Sequence, residues 1–273
     1  MLKIVTLLTL VFSSLSLSAN NLYEYNLLKS QFGYMLFEKD GIYIQRINLK
    51  NVDIRFVHGS QNSSLFQKGS IENWWSGMNQ VFSDDLISIN NLSFFESLSG
   101  NSTQLSFPYK SLGTIRTFGA SNGFPYARKM LAIKNSCYDN RPCPLITDYN
   151  VNTFNSNNFD NVIVGLDPFD SDVTDNISGK RGSINIGRTY AGVSYDISST
   201  PILYVIVAKQ ATNNEMTDAL HDLGVSSDNM VMFDGSGSSQ LISGNTKVYG
   251  SKNPAYYSID KRKIPQVMVI SKK

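Results

Sequence analysis

The stretch that decides the predicted fold begins with Ile202-Leu-Tyr-Val-Ile-Val-Ala208 and ends with Met230-Val-Met-Phe-Asp-Gly-Ser-Gly-Ser-Ser239. The first run is continuously apolar, which is typical of a strand buried on both faces. Between the two runs, apolar residues recur at helical spacing up to Gly224, so we expect a short helix there. The four apolar residues before Asp234 form a second strand. The order strand, helix, strand predicts a right-handed parallel crossover, with Asp234 at the carboxyl end of its strand.

Strand patterns also precede this stretch. Gly41 to Leu49 and Val52 to Val57 alternate apolar and polar residues, as half-buried strands do. We therefore predict an α+β (mixed α/β) fold: a β-rich single domain with a mixed sheet flanked by a few helices, and the site at the sheet edge. The domain is expected to cover residues 20–273, with a strand-rich part over about 20–85 and a core over about 86–270.

The composition argues against two classes of partner. The 273 residues carry a formal net charge of +2, and the Lys and Arg residues are evenly scattered. Nucleic-acid binding needs a basic stripe, so we expect no nucleic-acid partner. Beyond the N-terminus no apolar stretch reaches the roughly 20 residues of a membrane-spanning helix, so we also expect no stable membrane span.

The N-terminus has the pattern of a secretory signal peptide. Lys3 precedes an apolar run over residues 4–12, and small residues follow up to Ala19. Residues 1–19 are therefore predicted to be a signal peptide, and the protein is predicted to be secreted or periplasmic. A buried N-terminal strand or helix is the alternative interpretation.

The two cysteines, Cys137 and Cys143, flank a polar stretch that contains a turn-forming proline. In an oxidising compartment such a pair favours a small disulfide loop. Free thiols are the alternative. A metal site is disfavoured because His58 and His221, the only histidines, show no spacing related to the cysteines.

The segment Asp234 to Ser239 has the composition of an anion cradle. Its glycines and serines can present backbone N–H groups and hydroxyls to a phosphate or another oxyanion. The segment lacks the lysine of a nucleotide P-loop. An ordinary Gly/Ser turn is the alternative, in which Asp234 accepts loop N–H groups.

Two further segments contain candidate polar groups. Arg188 lies within Gly187 to Gly192, which we interpret as a turn before a strand, where a guanidinium can bind phosphate in bidentate fashion. Asn91 presents a donor and an acceptor within Ser88 to Phe95, a predicted strand that ends in a Phe pair. A solvated Arg188 and a core role for the Phe pair are the alternatives.

In chain order, the segments Asn91 to Phe95, Arg188 to Gly192 and Asp234 to Ser239 resemble motifs of the phosphodiester glycosidase family. The helix before Gly224 and the segment Arg262-Lys-Ile-Pro265 are also similar to the family's pattern, so the resemblance spans roughly residues 86–270. It implies hydrolysis of sugar 1-phosphodiesters, with cleavage of the glycosidic C–O bond and release of sugar and phosphomonoester. The resemblance implies catalytic roles for Asp234, Arg188 and Asn91. It implies substrate or phosphate binding by Thr189, Gly235, Ser236, Gly237, Ser238 and Ser239.

One position departs from the family pattern. Ser236 stands where the family has a glycine, and a serine fits there unless the backbone needs a positive φ. This departure supports one alternative function, a non-catalytic glycan- or phosphate-binding protein. A second alternative is a serine hydrolase that uses Ser236 or Ser238 with His58 or His221 as the base.

The sequence does not rank a second carboxylate among its candidates, which are Asp84, Asp85, Glu96 and Asp167. It indicates no cofactor. Calcium is possible, but no ligand spacing indicates it.

Overall fold

The computed structural model describes residues 21–96, 99–121, 126–137, 140–171 and 183–273. The predicted signal peptide, residues 1–19, lies outside the described residues. Within the described ranges, no helix is long and apolar enough to cross a membrane.

Three β-sheets contain most of the regular secondary structure of the described chain. The large sheet contains β1 (Asn26–Gln31), β2 (Tyr34–Lys39), β3 (Ile42–Ile47), β9 (Tyr109–Ser111), β10 (Thr114–Thr117), β11 (Arg128–Lys134), β12 (Cys143–Asp148), β13 (Phe159–Leu166), β14 (Ile186–Tyr195), β15 (Pro201–Ala211) and β16 (Met230–Phe233). The five-stranded sheet contains β4 (Val52–His58), β7 (Leu86–Asn90), β17 (Gln240–Ser243), β18 (Thr246–Tyr249) and β19 (Gln266–Lys272). The small sheet contains β5 (Gln61–Asn62), β6 (Leu65–Gln67) and β8 (Ser102–Thr103).

Helices are few and short. The α-helices of the described ranges are α1 (Ile71–Phe82), α2 (Val151–Asn155) and α3 (Asn213–Asp222). Thr212 caps α3 through a capping box with Glu215, which satisfies two N-terminal backbone donors. Gly224, with a φ of 75°, follows the end of α3 and confirms the predicted terminator.

The predicted fold class, α+β with a mixed sheet, is wrong. Every pairing between described strands is antiparallel, and the fold is β-rich. The predicted strand, helix and strand exist as β15, α3 and β16, and the two strands do run in the same direction. They are not neighbours, however, because β14 lies between them and pairs antiparallel with both. The connection through α3 therefore passes over β14, and β15 and β16 pair with β14 and not with each other.

The two larger sheets pack face to face. Their inner faces share one hydrophobic core, which includes Phe56 of β4, Val205 of β15 and Met268 of β19. The other face of the large sheet is covered by α2 and α3, and the other face of the five-stranded sheet by α1. Each of the two larger sheets therefore has one face against the other sheet and one face against helices, which explains why several of its strands are apolar on both faces.

The disulfide between Cys137 and Cys143 is present, as the sequence predicts. It lies where β11 ends and β12 begins. Two surface cavities, of about 190 and 480 Å³, lie against it and against Pro201 at the start of β15. Asp234 lies at the opposite end of the sheet, because β15 and β16 run in the same direction and Asp234 follows β16. The cavities therefore do not include the predicted site.

Candidate functional site

The segment Asp234–Ser239 joins the two larger sheets. It leaves the end of β16, forms a 3-10 turn over Ser236–Ser238, and enters β17 at Gln240. Asp234 is partly exposed, whereas Ser238 and Ser239 are fully buried. The predicted position of Asp234 at the carboxyl end of a buried strand is thus what the structure shows.

Burial raises the pKa of the Asp234 carboxyl to about 6. Three contacts oppose this effect by favouring the ionised form. These are a hydrogen bond from the Ser238 hydroxyl, the positive charge of Arg262 and the backbone N–H of Gly235. A carboxyl group with this pKa exchanges its proton near neutral pH, as a general base or acid must.

Arg262 is the cation at this carboxyl group. Its Nη1 donates to the Ser238 hydroxyl over 3.1 Å, and its Nη2 donates to Asp260 Oδ2 over 3.0 Å. The side chains of Arg262 and Asp260 are 16% and 22% exposed, so both are largely withdrawn from solvent. Asp260 in turn lies against Gly237, since a Cβ atom at Gly237 would contact the Asp260 carboxylate.

Asp260 and Arg262 were not predicted to lie in the site. They lie in an irregular segment without periodic pattern. The sequence feature that could have identified Arg262 is the resemblance of Arg262-Lys-Ile-Pro265 to a motif of the phosphodiester glycosidase family. Asp260 is also the carboxylate that the structure brings to the loop. Among the earlier candidates, Glu96 accepts from the Ser121 hydroxyl, and Asp167 lies 3.7 Å from Lys129.

Asn91 supports the loop from the five-stranded sheet. It is fully buried, and its Nδ2 donates to the Ser238 carbonyl over 3.0 Å. Its Oδ1 accepts from the Ser93 backbone N–H over 3.2 Å. The donor and acceptor that sequence analysis identified in Asn91 are therefore both used within the chain.

Thr189 supports the loop from the large sheet. Its hydroxyl donates to Ser239 Oγ over 2.9 Å, and Ser239 Oγ donates to the Asp234 carbonyl over 3.3 Å. Thr189 is fully buried within β14. These bonds fix the backbone of the residue that carries the carboxyl group.

Arg188 makes different contacts. It lies within β14, so its interpretation as an arginine in a turn was wrong. Successive residues of a strand point to opposite faces, so Arg188 faces away from the side of Thr189. Its Nε donates to the Ala211 carbonyl and its Nη2 to the Ile184 carbonyl, both over 3.1 Å. These bonds connect Arg188 to the end of β15 and to the segment before β14.

Ser236 has a φ of 59°, in the left-handed region that favours glycine. The family resemblance places a glycine at this position, and the serine adopts the same kind of conformation at a cost of about 1 kcal/mol. The Ser236 carbonyl lies so close to Gly187 and Gly250 that a Cβ on either glycine would clash with it. Three chain segments therefore meet around this turn.

The histidines do not contact the loop serines. His58 Nδ1 bonds to the Gly59 carbonyl, and His221 Nδ1 bonds to the Val225 carbonyl. Ser238 and Ser239 bond instead to Arg262 and Thr189. The arrangement therefore lacks the serine–histidine contact that a serine hydrolase uses. In the part of the chain that the structure describes, no group of three His, Cys, Asp or Glu side chains could hold a metal ion.

Solved structures share this fold at low sequence identity. The catalytic domain of zebrafish N-acetylglucosamine-1-phosphodiester alpha-N-acetylglucosaminidase, auto-inhibited by its pro-peptide, matches with a TM-score of 0.56 and 16% identity, over 91% of this chain and 82% of that one. A Burkholderia pseudomallei protein named as an exported protein matches with a TM-score of 0.50 and 9% identity, over 89% of this chain and 75% of that one. No protein-family model and no curated protein sequence matches the chain. These likenesses show a shared fold with a phosphodiester glycosidase catalytic domain.

Proposed function

We propose that this chain hydrolyses sugar 1-phosphodiesters at the Asp234 loop. The observation that carries the proposal is the Asp234 carboxyl group, which has a pKa of about 6 and lies beside Arg262 on a fixed turn. The fold shared with the zebrafish phosphodiester glycosidase, and the order of the three sequence motifs, support the same reaction class.

In the proposed reaction, Asp234 acts as the general base. It takes a proton from a water molecule, and the water oxygen attacks the anomeric carbon of the sugar. The glycosidic C–O bond breaks, and the phosphomonoester leaves with the electron pair of that bond. Phosphate is already an anionic leaving group, so stabilisation of its charge matters more than its protonation.

Arg262 is the proposed stabiliser of that charge. Its guanidinium is held by Ser238 and Asp260, so it is fixed beside the carboxyl group before substrate binds. Fixed donors need no reorganisation during the reaction. In this proposal Arg188 and Asn91 are positioning residues, which hold the end of β15 and the Ser238 carbonyl respectively.

The loop itself provides fewer backbone donors than its composition suggests. The N–H groups of Ser238 and Ser239 close the turn by donating to the carbonyls of Gly235 and Ser236, each over 3.2 Å. The Gly235 N–H bonds to Asp234. Within the described ranges this leaves the N–H groups of Ser236 and Gly237 for a ligand oxygen.

A hydrolysis assay tests the proposal. The chain is incubated with a panel of sugar 1-phosphodiesters, including an α-N-acetylglucosamine diester, and free sugar and phosphomonoester are measured. We expect product with the wild type and loss of at least 100-fold with Asp234→Asn, because the base is removed. Asp218→Asn, at an exposed aspartate of α3, is the matched control and should retain activity. Equal activity in Asp234→Asn would remove Asp234 from the mechanism.

The same panel separates hydrolysis from binding. The left-handed Ser236 is the observation that favours a binding protein, since a strained turn at this position departs from the glycine of the family pattern. Saturable binding of a diester without product would support that function.

We also propose that the protein is exported. The signal-peptide pattern of residues 1–19 and the disulfide of Cys137 and Cys143 support this location. N-terminal sequencing of the mature chain should begin near Asn20, and thiol labelling without reductant should detect no free cysteine.

A further inference from the structure

A second polar cluster lies between the two larger sheets, apart from the Asp234 loop. His58 ends β4 and Gln266 begins β19, and the two residues are direct partners across the strand pair. Phe56 and Met268, two positions further along each strand, belong to the core between the sheets. Because side chains alternate along a strand, His58 and Gln266 face into that same space.

Several buried polar atoms in this region have no hydrogen-bond partner in the described residues. They are both amide atoms of Gln266, the hydroxyl of Tyr109 and Nε of Arg116. Gln266 and Tyr109 are 0% exposed, so their polar groups are withdrawn from bulk water. Burial raises the pKa of Tyr109, and the nearby Ser111 hydroxyl opposes that rise. The Ser111 hydroxyl donates its own proton to the Phe56 carbonyl over 2.6 Å. A buried polar group without a hydrogen-bond partner destabilises the folded chain.

These groups share one neighbourhood around His58. The rings of His58 and Tyr109 are in edge contact, with centroids 5.8 Å apart. Burial lowers the pKa of His58 and raises the pKa of Tyr109. The positive charge of Arg116 also acts on both pKa values, which places its guanidinium near both rings. Among the described residues, no carboxylate pairs with Arg116. The cluster therefore holds an uncompensated positive charge.

The donor inventory favours an anion. Arg116 Nε, the Tyr109 hydroxyl and the Gln266 amide nitrogen are donors without an acceptor. His58 Nδ1 donates its proton to the Gly59 carbonyl over 2.8 Å, so the His58 ring borders the cluster without adding a free donor. We propose that Tyr109, Arg116 and Gln266 form a binding site for an oxyanion, a carboxylate or phosphate group, beside the His58 ring. His58 and Arg116 are partly exposed and form the boundary between the site and solvent.

The cluster lies at the same end of the five-stranded sheet as the Asp234 loop. Gln240 enters β17 directly after the loop, and β7 and β19 separate β17 from the β4 strand of His58. Three strand spacings correspond to about 14 Å. The anion has two possible sources: a free small anion, or an acidic group of a ligand that also occupies the Asp234 loop. The second source rests on the proposed function.

Phosphate titration tests the site without any assumption about catalysis. Inorganic phosphate is titrated into the full chain at pH 7, with calorimetry and the Nε–H NMR signal of Arg116 as readouts. We expect saturable binding that is at least tenfold weaker in Arg116→Gln. Arg55→Gln is the matched control, because Arg55 is exposed and stacks on Phe82 instead. Absence of saturable binding, or equal affinity in Arg116→Gln and wild type, overturns the site.

Tyr109→Phe keeps the inference testable if Arg116→Gln fails to fold. Removal of an unpaired buried hydroxyl should raise the melting temperature in phosphate-free buffer. The same change removes a donor and should weaken phosphate binding. A folded Tyr109→Phe variant with unchanged phosphate affinity contradicts the proposed site.

Substrates then identify the source of the anion. Sugar phosphodiesters with an acidic or a neutral aglycone are compared in wild type and Arg116→Gln. A KM increase confined to the acidic aglycone assigns the anion to the substrate. An equal KM for both aglycones in both proteins assigns it to a free anion. If no diester is hydrolysed, the proposed function fails, whereas the phosphate titration still decides the anion site.

Discussion

The side-chain amide of Asn91 donates to the Ser238 carbonyl over 3.0 Å, and this bond connects the five-stranded sheet to the Asp234 loop. Both residues are fully buried. The Ser238 hydroxyl bonds to Asp234 and accepts from Arg262. The position of the Asn91 amide therefore determines where Ser238 holds the reactive carboxyl group and its cation.

Asn91→Ala should destabilise the protein and reduce hydrolysis. The change leaves the buried Ser238 carbonyl and the Ser93 N–H without partners, which costs about 2–4 kcal/mol in total. Urea unfolding measures the loss. Asn91→Asp provides a second variant: it keeps the acceptor for Ser93 but replaces the donor with an oxygen that faces the Ser238 carbonyl, so it should also destabilise the protein. Wild-type stability in both variants contradicts the role assigned to this amide.

Asp234→Asn should make the folded state more stable above pH 6. The carboxyl group has a pKa of about 6 in the folded protein and 3.8 in the unfolded chain, so the folded state binds the proton more tightly. This proton stabilises the folded state fully below pH 4, and the stabilisation is lost as the pH rises through 6. The full shift corresponds to about 3 kcal/mol, and partial exposure reduces this to about 1–2 kcal/mol. Urea unfolding at pH 8 and pH 4 measures the effect. The free energy of unfolding of Asp234→Asn should exceed that of the wild type at pH 8 and equal it at pH 4. A constant difference between the two pH values is incompatible with a raised pKa.

The pH dependence of hydrolysis should reflect the ionisation of the Asp234 carboxyl group. A general base must be ionised, so kcat/KM should rise with pH through about 6. The measurement is the initial rate at low substrate concentration between pH 4 and 8. A rate that falls through pH 6 instead assigns Asp234 the role of general acid.

Local sequence patterns predicted the strands and the helix well, but they did not predict which strands pair with each other. The apolar run before Lys209, the helix before Gly224 and the strand before Asp234 all follow from periodicity over a few residues. The insertion of β14 between β15 and β16 depends on contacts between distant segments, which periodicity does not contain. The prediction of a mixed sheet was wrong for this reason.

The sequence likewise predicted only part of the candidate site. Asp234 could be placed because it directly follows a recognisable strand. Asp260 and Arg262 could not, since they reach the loop from an irregular segment through tertiary contacts alone. Arg188 was misinterpreted because Gly187 indicated a turn, whereas the glycine is required by its close contact with the Ser236 carbonyl.

Ser236→Gly should stabilise the protein by about 1 kcal/mol. Glycine adopts a φ of 59° without the steric cost that serine incurs, and this gain exceeds its entropic loss. Thermal unfolding measures the difference. Ser226→Gly is the matched control, because Ser226 has a φ of −78° and makes no side-chain cap bond. Stabilisation of both variants to the same extent would show that backbone strain at Ser236 is not the cause.

Gly237→Ala should impair both stability and hydrolysis. A Cβ atom at Gly237 would overlap the Asp260 side chain, which would have to move together with the Arg262 guanidinium that it holds. Overpacking of this kind typically costs about 1–3 kcal/mol.

Gly77→Ala is the control for that substitution, since a Cβ at Gly77 within α1 meets no atom within 4 Å. It should stabilise the helix by up to about 1 kcal/mol. Urea unfolding and the diester assay, applied to both variants, separate the two cases. If Gly237→Ala lowers stability but leaves kcat unchanged, the position of Arg262 does not matter for catalysis, and the proposed stabilisation of the leaving phosphate by Arg262 must be abandoned.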